Sequence, residues 1–326
     1  MPTVVIAYGD RTHALPETEL LEAAGYEVRH LAGIPDAPGT ELSDADALLV
    51  TIQPVTDVVL AAMPRCRVVA RVGTGLDRID LDAAARRGIY VTNVADYSVD
   101  EVSTHAVTLL LAHVRRLPEY MRLVRAGQWS STGGGPIRRL RGLTIGVAGF
   151  GRIGRATAAK ARGLGLRVIV YDPVLPAEDI RAADAEPVDW PALLAESDYI
   201  SLHVPLTPQS RHMINAAALA AMKPSAVLIN TARGGLVDEA ALASAIRSGS
   251  IAGAALDVLA EEPPPANHPL LGDERILITP HAAWYSLEAQ RDVVAAACED
   301  VHRVLSGQRP RSPVNTPLLP APEPAQ

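Results

Sequence analysis

Lysine is almost absent from this chain. Lys160 and Lys223 are the only two among 30 basic residues. No run of basic side chains forms a phosphate-tracking face, and the net charge is −7. Nucleic acid is therefore excluded as the main partner. Cysteine is scarce too. Cys66 and Cys298 lie far apart, so no disulfide framework is implied and a reducing compartment fits. Long apolar runs are missing. The longest, around Ala106–Ala112 and Ile251–Leu256, fall far short of the roughly 20 residues a membrane helix needs. Thr3–Ala7 has neither the basic flank nor the cleavage site of a signal peptide. No membrane partner is expected, the cytoplasm is the expected location, and no metal site is expected.

What is present is an ordinary globular composition, with 48% hydrophobic and 21% charged residues over 326 positions. At roughly 100–200 residues per domain, two domains are expected. Strand and helix patterns alternate almost throughout, which argues for α/β architecture with parallel sheets. Thr3–Ala7, Glu27–His30, Ala47–Thr51, Val68–Val72 and Tyr90–Thr92 read as strands. Ser98 and Glu101 have capping-box spacing and open a long apolar helix. The Gly/Ser-rich stretch Ser130–Pro136 marks a boundary. A second series follows, with strands at Thr144–Ala148, Arg167–Tyr171, Tyr199–Leu202, Val227–Asn230, Ala254–Asp257 and Ile276–Thr279. Six strands with crossovers are the content of a full dinucleotide-binding sheet. The last helix is expected over Ser286–Leu305. The end of the chain is rich in proline.

The strongest local motif is Gly149-Phe150-Gly151-Arg152-Ile153-Gly154. It follows an apolar strand and opens a helix, as a dinucleotide fingerprint requires. The glycines permit a tight turn and close approach of a pyrophosphate, and the helix N-terminus supplies amide donors. The next strand ends in Tyr171-Asp172-Pro173. An acid there suits the ribose diol of NAD and repels the 2′-phosphate of NADP. The motif comes after an α/β domain, so the first domain is expected to carry substrate and the second the cofactor.

Ligands of open α/β sheets bind beyond the carboxyl ends of the strands, where the strand order reverses. His203-Val204-Pro205 follows the third strand of the second series, and Thr231-Ala232-Arg233-Gly234-Gly235 follows the fourth. Asp257 ends the fifth strand, with Glu262-Pro263 just beyond, and Pro280-His281-Ala282-Ala283-Trp284 follows the sixth. In a 3-2-1-4-5-6 order, with the fourth strand beside the first, Arg233, Asp257, Glu262 and His281 fall on the half-site opposite the adenosine.

These residues carry a resemblance. Val147–Gly154, Asn230–Asp238, Ala255–Val258 with Glu262-Pro263, and Thr279-Pro280-His281 look like the D-isomer-specific 2-hydroxyacid dehydrogenases over about residues 45 to 308. Gly73-Thr74-Gly75, Asp257 and His281-Ala-Ala-Trp-Tyr-Ser286 are most similar to the C-terminal-binding-protein branch of that family. The resemblance implies catalytic roles for Arg233, Glu262 and His281. It implies NAD contacts from Thr74, Gly149, Gly151, Arg152, Ile153, Gly154, Asp172, His203, Val204, Pro205, Thr231 and Asp257, with Arg233 and His281 also beside the cofactor. Asp257 would hold the nicotinamide carboxamide. It further implies a flavodoxin-like split substrate domain with a Rossmann-type NAD-binding domain inserted in it. The expected division is 1–98 with 288–314 for substrate, 99–287 for NAD, and a disordered tail over 315–326. Family members usually pair through the NAD-binding domain, so a homodimer is expected, with 119–142 as its arm.

In this reading a 2-oxo acid is reduced to a D-2-hydroxy acid. Backbone amides at Val72 and Gly73, with Arg233, hold the carboxylate, and His281, supported by Glu262, exchanges the proton. Trp284, three residues past His281, is expected to wall the substrate's side chain. That wall favours an apolar or aromatic side chain over glyoxylate, and Thr51-Ile52-Gln53-Pro54 contains no arginine to receive a phosphorylated acid. Two other readings compete: an NAD(H)-sensing, corepressor-like regulatory protein, and a dehydrogenase of a non-carboxylate oxyanion. Turnover of a 2-oxo acid with NADH separates them.

Overall fold

The structure is a computed structural model that describes residues 1–8, 16–36 and 38–318. Residues 9–15, position 37 and positions 319–326 of the tail lie outside the described residues. The chain divides into two compact units, 1–97 with 286–326, and 98–285.

In the first unit the elements run β1 (Thr3–Ala7), α1 (Pro16–Ala23), β2 (Glu27–Leu31), β3 (Ala47–Val50), α2 (Asp57–Ala61), β4 (Val68–Arg71), α3 (Leu81–Arg86) and β5 (Tyr90–Asn93). A long helix near the end of the chain, Leu287–Leu305, joins them. Five parallel strands lie in the order β2-β1-β3-β4-β5, the flavodoxin arrangement. Side chains alternate across the sheet. Val4 and Ile6 face Val293, Val294 and Val301 of the last helix, while Val5 and Ala7 face Leu60 and Ala84. Apolar cover on both faces explains why these strands read as continuous hydrophobic runs.

Two expectations in this unit need correction. The amide of Val72 donates to Val50 O at 2.8 Å and that of Gly73 to Arg71 O at 2.9 Å. Strand pairing and a tight turn therefore use both donors assigned to the substrate carboxylate. The guanidinium of Arg71 folds under the turn, with Nε donating to Gly75 O at 3.1 Å and Nη1 to Val72 O. The tail is also held further than expected. Asn315 accepts from Val91 N at 2.7 Å and donates to Ile89 O at 2.9 Å, and Leu318 N donates to Ala85 O. An amide side chain thus supplies the donor and acceptor that edge strand β5 lacks. Thr51–Pro54 has no arginine of its own, but Arg78 donates to Ile52 O at 3.4 Å.

The second unit opens with α4 (Val99–Val114) and α5 (Leu117–Arg125). There follow β6 (Thr144–Ala148), α6 (Arg152–Gly163), β7 (Arg167–Tyr171), α7 (Ala177–Ala182), β8 (Glu186–Pro187) and α8 (Trp190–Glu196). The remainder is β9 (Tyr199–Leu202), α9 (Ala216–Ala221), β10 (Val227–Asn230), α10 (Glu239–Ser248), β11 (Gly253–Leu256) and β12 (Ile276–Ile278), so the last helix of the chain is α11. Ser98 precedes α4 but makes no side-chain cap hydrogen bond, so the expected capping box does not form.

The sheet has seven parallel strands in the order β12-β11-β10-β9-β6-β7-β8, not six. The additional strand, β8, is two residues long and contains a proline, too short to show a period. Its presence shifts the count. The strand beside β6 is β9, which ends at Leu202, and not β10, which ends at Asn230. The order reverses between β6 and β9, so the crevice opens between the glycine loop and His203. The two faces carry separate cores, one around Ile200, Leu228 and Leu256, the other around Val147, Ile229 and Leu110 of α4.

Candidate active site

Glycine is required at two positions of the loop after β6. A β-carbon on Gly149, whose φ is +91°, would stand 2.7 Å from the backbone of His203, and one on Gly154 would stand 2.1 Å from Gly149 O. The loop is thereby pressed against β9 and against its own helix. At Gly151 the situation is opposite: a β-carbon would meet nothing within 4 Å. This open cradle faces the start of α6, where Arg152, Ile153 and Gly154 present amides in the helix's first turn. The residues therefore fit a dinucleotide pyrophosphate.

Asp172, just past β7, lies where the ribose should. Its Oδ2 accepts from Phe150 N at 2.7 Å, and its Oδ1 accepts from Val174 N and Leu175 N at 2.9 and 3.0 Å. Burial works to raise its pKa, but those amides and the charge of Arg155 outweigh it and hold the carboxyl below its usual range. The acid is thus ionised, and Oδ2, which accepts a single amide, keeps acceptor capacity for a hydroxyl. Across the crevice His203 lies 2.9 Å from Ser201 Oγ through Nε2, and burial pushes its imidazole down to about 4. Val204 and Pro205 follow in a loop braced by Ser210, whose hydroxyl donates to Pro205 O. Thr231 is buried, and its hydroxyl has no hydrogen-bond partner among the described residues. A buried hydroxyl at a strand end that pairs with no protein group suits a polar group of a ligand.

The loops after β10, β11 and β12 bring the candidate catalytic side chains together. A β-carbon on Gly234 would fall 1.9 Å from Leu259 C. Glycine there lets the Arg233 turn press on the segment that leads to Glu262. Glu262 Oε1 accepts from Leu259 N at 2.9 Å, and Oε2 lies 2.6 Å from His281 Nδ1. Burial works to raise the Glu262 pKa; the His281 bond and charge, the Leu259 amide and the charge of Arg233 together hold it low. Carboxylate, imidazole and guanidinium thus form one electrostatic group. With Nδ1 turned to Glu262, Nε2 is the ring nitrogen left to exchange a proton with a ligand.

His281 has φ +52°, in the left-handed region. Three consecutive amides tie this loop to Asp257. His281 N donates to its carbonyl at 2.8 Å, Ala282 N to Oδ1 and Ala283 N to Oδ2, each at 2.9 Å. Thr279 Oγ1 donates to Oδ1 at 2.5 Å. Asp257 is 1% exposed. Both oxygens engage protein donors, so Asp257 holds this loop. The sequence quoted Thr279 only as part of a motif and did not mark His105 at all, which lies 3.0 Å from the Thr279 hydroxyl. Trp284 packs edge-on against Tyr285, with ring centroids 5.6 Å apart.

Arg233, Glu262 and His281 are thus brought together, and so are the glycine loop, Asp172 and His203. Val72, Gly73 and Thr74 belong to the first unit. There the Thr74 hydroxyl donates to Val94 O at 3.0 Å. Among the described residues, no helix is long and apolar enough to cross a membrane.

Comparison with known proteins agrees with this geometry. Residues 107–283 match the family model described as D-isomer specific 2-hydroxyacid dehydrogenase, NAD binding domain. A glyoxylate reductase of Korarchaeum cryptofilum is 39% identical, with 85% of each chain covered. A D-3-phosphoglycerate dehydrogenase of Methanocaldococcus jannaschii is 38% identical over 93% of this chain, which spans only 58% of that protein's length. The crystal structure of D-lactate dehydrogenase from Aquifex aeolicus, complexed with NAD and lactic acid, superposes with a TM-score of 0.86 at 31% identity, covering 93% of this chain and 96% of that one.

Proposed function

Because the chain belongs to the D-isomer specific 2-hydroxyacid dehydrogenase family, we propose that it interconverts a D-2-hydroxy acid and its 2-oxo acid with NAD as redox partner, using Arg233, Glu262 and His281. The observation that carries this reading is the 2.6 Å contact of Glu262 with His281 beside the charge of Arg233. The bound cofactor supplies the hydride for reduction and accepts it in oxidation. Arg233 holds the substrate carboxylate by paired N–H donors and draws electron density from the ketone oxygen. Protonated His281 gives its Nε2 proton to that oxygen as the alcohol forms. In the reverse direction neutral Nε2 takes the hydroxyl proton. Glu262 stays ionised and favours the charged ring through Nδ1.

The proposal assigns NAD to the cradle at Gly149, Gly151, Arg152, Ile153 and Gly154, to Asp172, and to His203, Val204, Pro205 and Thr231. Thr74, Arg233, Asp257 and His281 complete the set. Among the described residues the amides of Thr74 and Gly75 make no backbone hydrogen bond, so they replace those of Val72 and Gly73 as candidate carboxylate donors. Exposed Leu117, Met121, Val124 and Trp129 on α5 and the following loop suit a second copy of the chain, in keeping with a homodimer. Cytoplasmic residence accords with Cys66 and Cys298, both free thiols.

For the substrate, Trp284 favours an apolar or aromatic side chain, because an indole three residues past the proton donor offers a flat apolar wall. Arg78 at the Thr51–Pro54 loop favours a second reading, a substrate with an additional anionic group. The test is NADH oxidation across glyoxylate, hydroxypyruvate, 3-phosphohydroxypyruvate, 4-methyl-2-oxopentanoate and phenylpyruvate, with wild type and W284A. On the first reading W284A weakens use of the bulky acids by about 1–3 kcal/mol and spares glyoxylate. A preference for the phosphorylated acid selects the second, and no turnover of any acid overturns both.

A further inference from the structure

Thr279 and Asp257 are gripped from α4 as well as from their own loops. His105 lies on α4 beside the buried positions Ala106, Leu109 and Leu110. Its Nε2 is 3.0 Å from Thr279 Oγ1 and 3.5 Å from Asp257 Oδ1. An ionised carboxylate only accepts hydrogen bonds, so the Thr279 hydroxyl donates to Oδ1. Its oxygen is then free to accept, and His105 must carry hydrogen on Nε2. The result is a directional chain, His105 N–H to Thr279 O–H to Asp257, that ends on a buried carboxylate.

The same Oδ1 also receives the amide of Ala282, and Oδ2 that of Ala283. Between these anchors and the Asp257 carbonyl sits His281, in the left-handed backbone region that non-glycine residues seldom occupy, though histidine enters it more readily than most. A residue held there depends on its surroundings to keep it there. We propose that His105 is a positioning residue for His281. Acting through Thr279 and Asp257, it fixes the loop conformation that aims the His281 ring at the reacting oxygen. The proposal rests on the assignment of His281 as proton donor, but the loop geometry on which it stands is independent of that assignment.

The experiment combines amide hydrogen exchange over 279–285 with steady-state kinetics on the full chain, for H105L, H105Q, T279V and the double variant H105L/T279V. Glutamine offers an amide N–H near the position of Nε2, and leucine offers none. We expect exchange at 281–283 to rise by about tenfold or more in H105L and T279V and to return toward wild type in H105Q. We expect kcat to fall on the order of 10- to 100-fold in the first two, with NADH Kd within about twofold of wild type and most of kcat recovered in H105Q. The double variant should be no worse than T279V alone, because both act through one chain of bonds. Wild-type exchange and kcat in H105L, or H105Q no better than H105L, overturns the proposal and leaves His105 as packing. Should H105L not fold, T279V and H105Q decide by the same criteria. A wild type that reduces no 2-oxo acid overturns the enzymatic reading instead, and the exchange data then judge the positioning role by themselves.

Discussion

Oε2 of Glu262 lies 2.6 Å from Nδ1 of His281, although the two residues come from loops at the ends of different strands. This contact orients the imidazole and gives its charged form an anionic partner. H281A should lower kcat on the order of 10²–10⁴-fold while NADH binding changes little, as steady-state kinetics and fluorescence titration would show. Near-normal turnover removes His281 from the chemistry. In E262Q the ring keeps a hydrogen-bond acceptor but loses its anionic partner, so kcat for reduction should fall by about tenfold or more. Unchanged kcat in E262Q means that the Glu262 contact does not serve the chemistry.

Asp172 is ionised and sits where a ribose diol is expected. A 2′-phosphate there would meet a carboxylate, so kcat/KM with NADH should exceed that with NADPH. D172N should narrow the gap, because the repulsion is gone while the side chain still accepts a hydrogen bond. Equal use of both cofactors by wild type contradicts this account.

Two glycines in one loop should respond to alanine in opposite ways. At Gly151 a methyl group meets no atom of the described residues beyond its chain neighbours within 4 Å, so G151A should keep its Tm yet lose NADH affinity, because the methyl occupies the cradle. At Gly154 the methyl strikes Gly149 O at 2.1 Å. G154A should cost roughly 1–3 kcal/mol of stability from overpacking. Thermal unfolding with and without NADH distinguishes the two. Unchanged NADH affinity in G151A removes the cradle from the site.

His203 bears on stability against pH. Burial pushes its ring down to about 4 in the fold, from the ordinary value of roughly 6.5 in the unfolded chain. Between those values the unfolded chain binds more protons, so stability is lost as pH falls through that window, by up to about 3 kcal/mol from this group. H203Q should flatten the loss in urea unfolding measured from pH 7 to pH 4. A wild-type ring that titrates near neutrality by NMR refutes the assignment.

Much of this protein follows from its residues alone. Apolar runs of four or five residues separated by amphipathic stretches can satisfy their backbones and bury both faces only as parallel strands under helices, and Gly149 to Gly154 permits one kind of turn. Arg233, Glu262 and His281 were legible because each follows a strand end in an open α/β sheet, where side chains must converge. Other features depend on contacts between residues far apart in the chain. Strand β8, with two residues and a proline, has no period to detect, so only pairing with β7 reveals it and corrects which strand adjoins β6. The amides of Val72 and Gly73 looked available until strand pairing and a turn engaged them. The capping box at Ser98 had the spacing but not the backbone angles. Asp257 was legible as a strand-end acid, but not the three amides and the hydroxyl that tertiary structure directs to it. His105 carried no signal, because a histidine on an apolar helix acquires meaning only from what the fold places 3.0 Å from its ring.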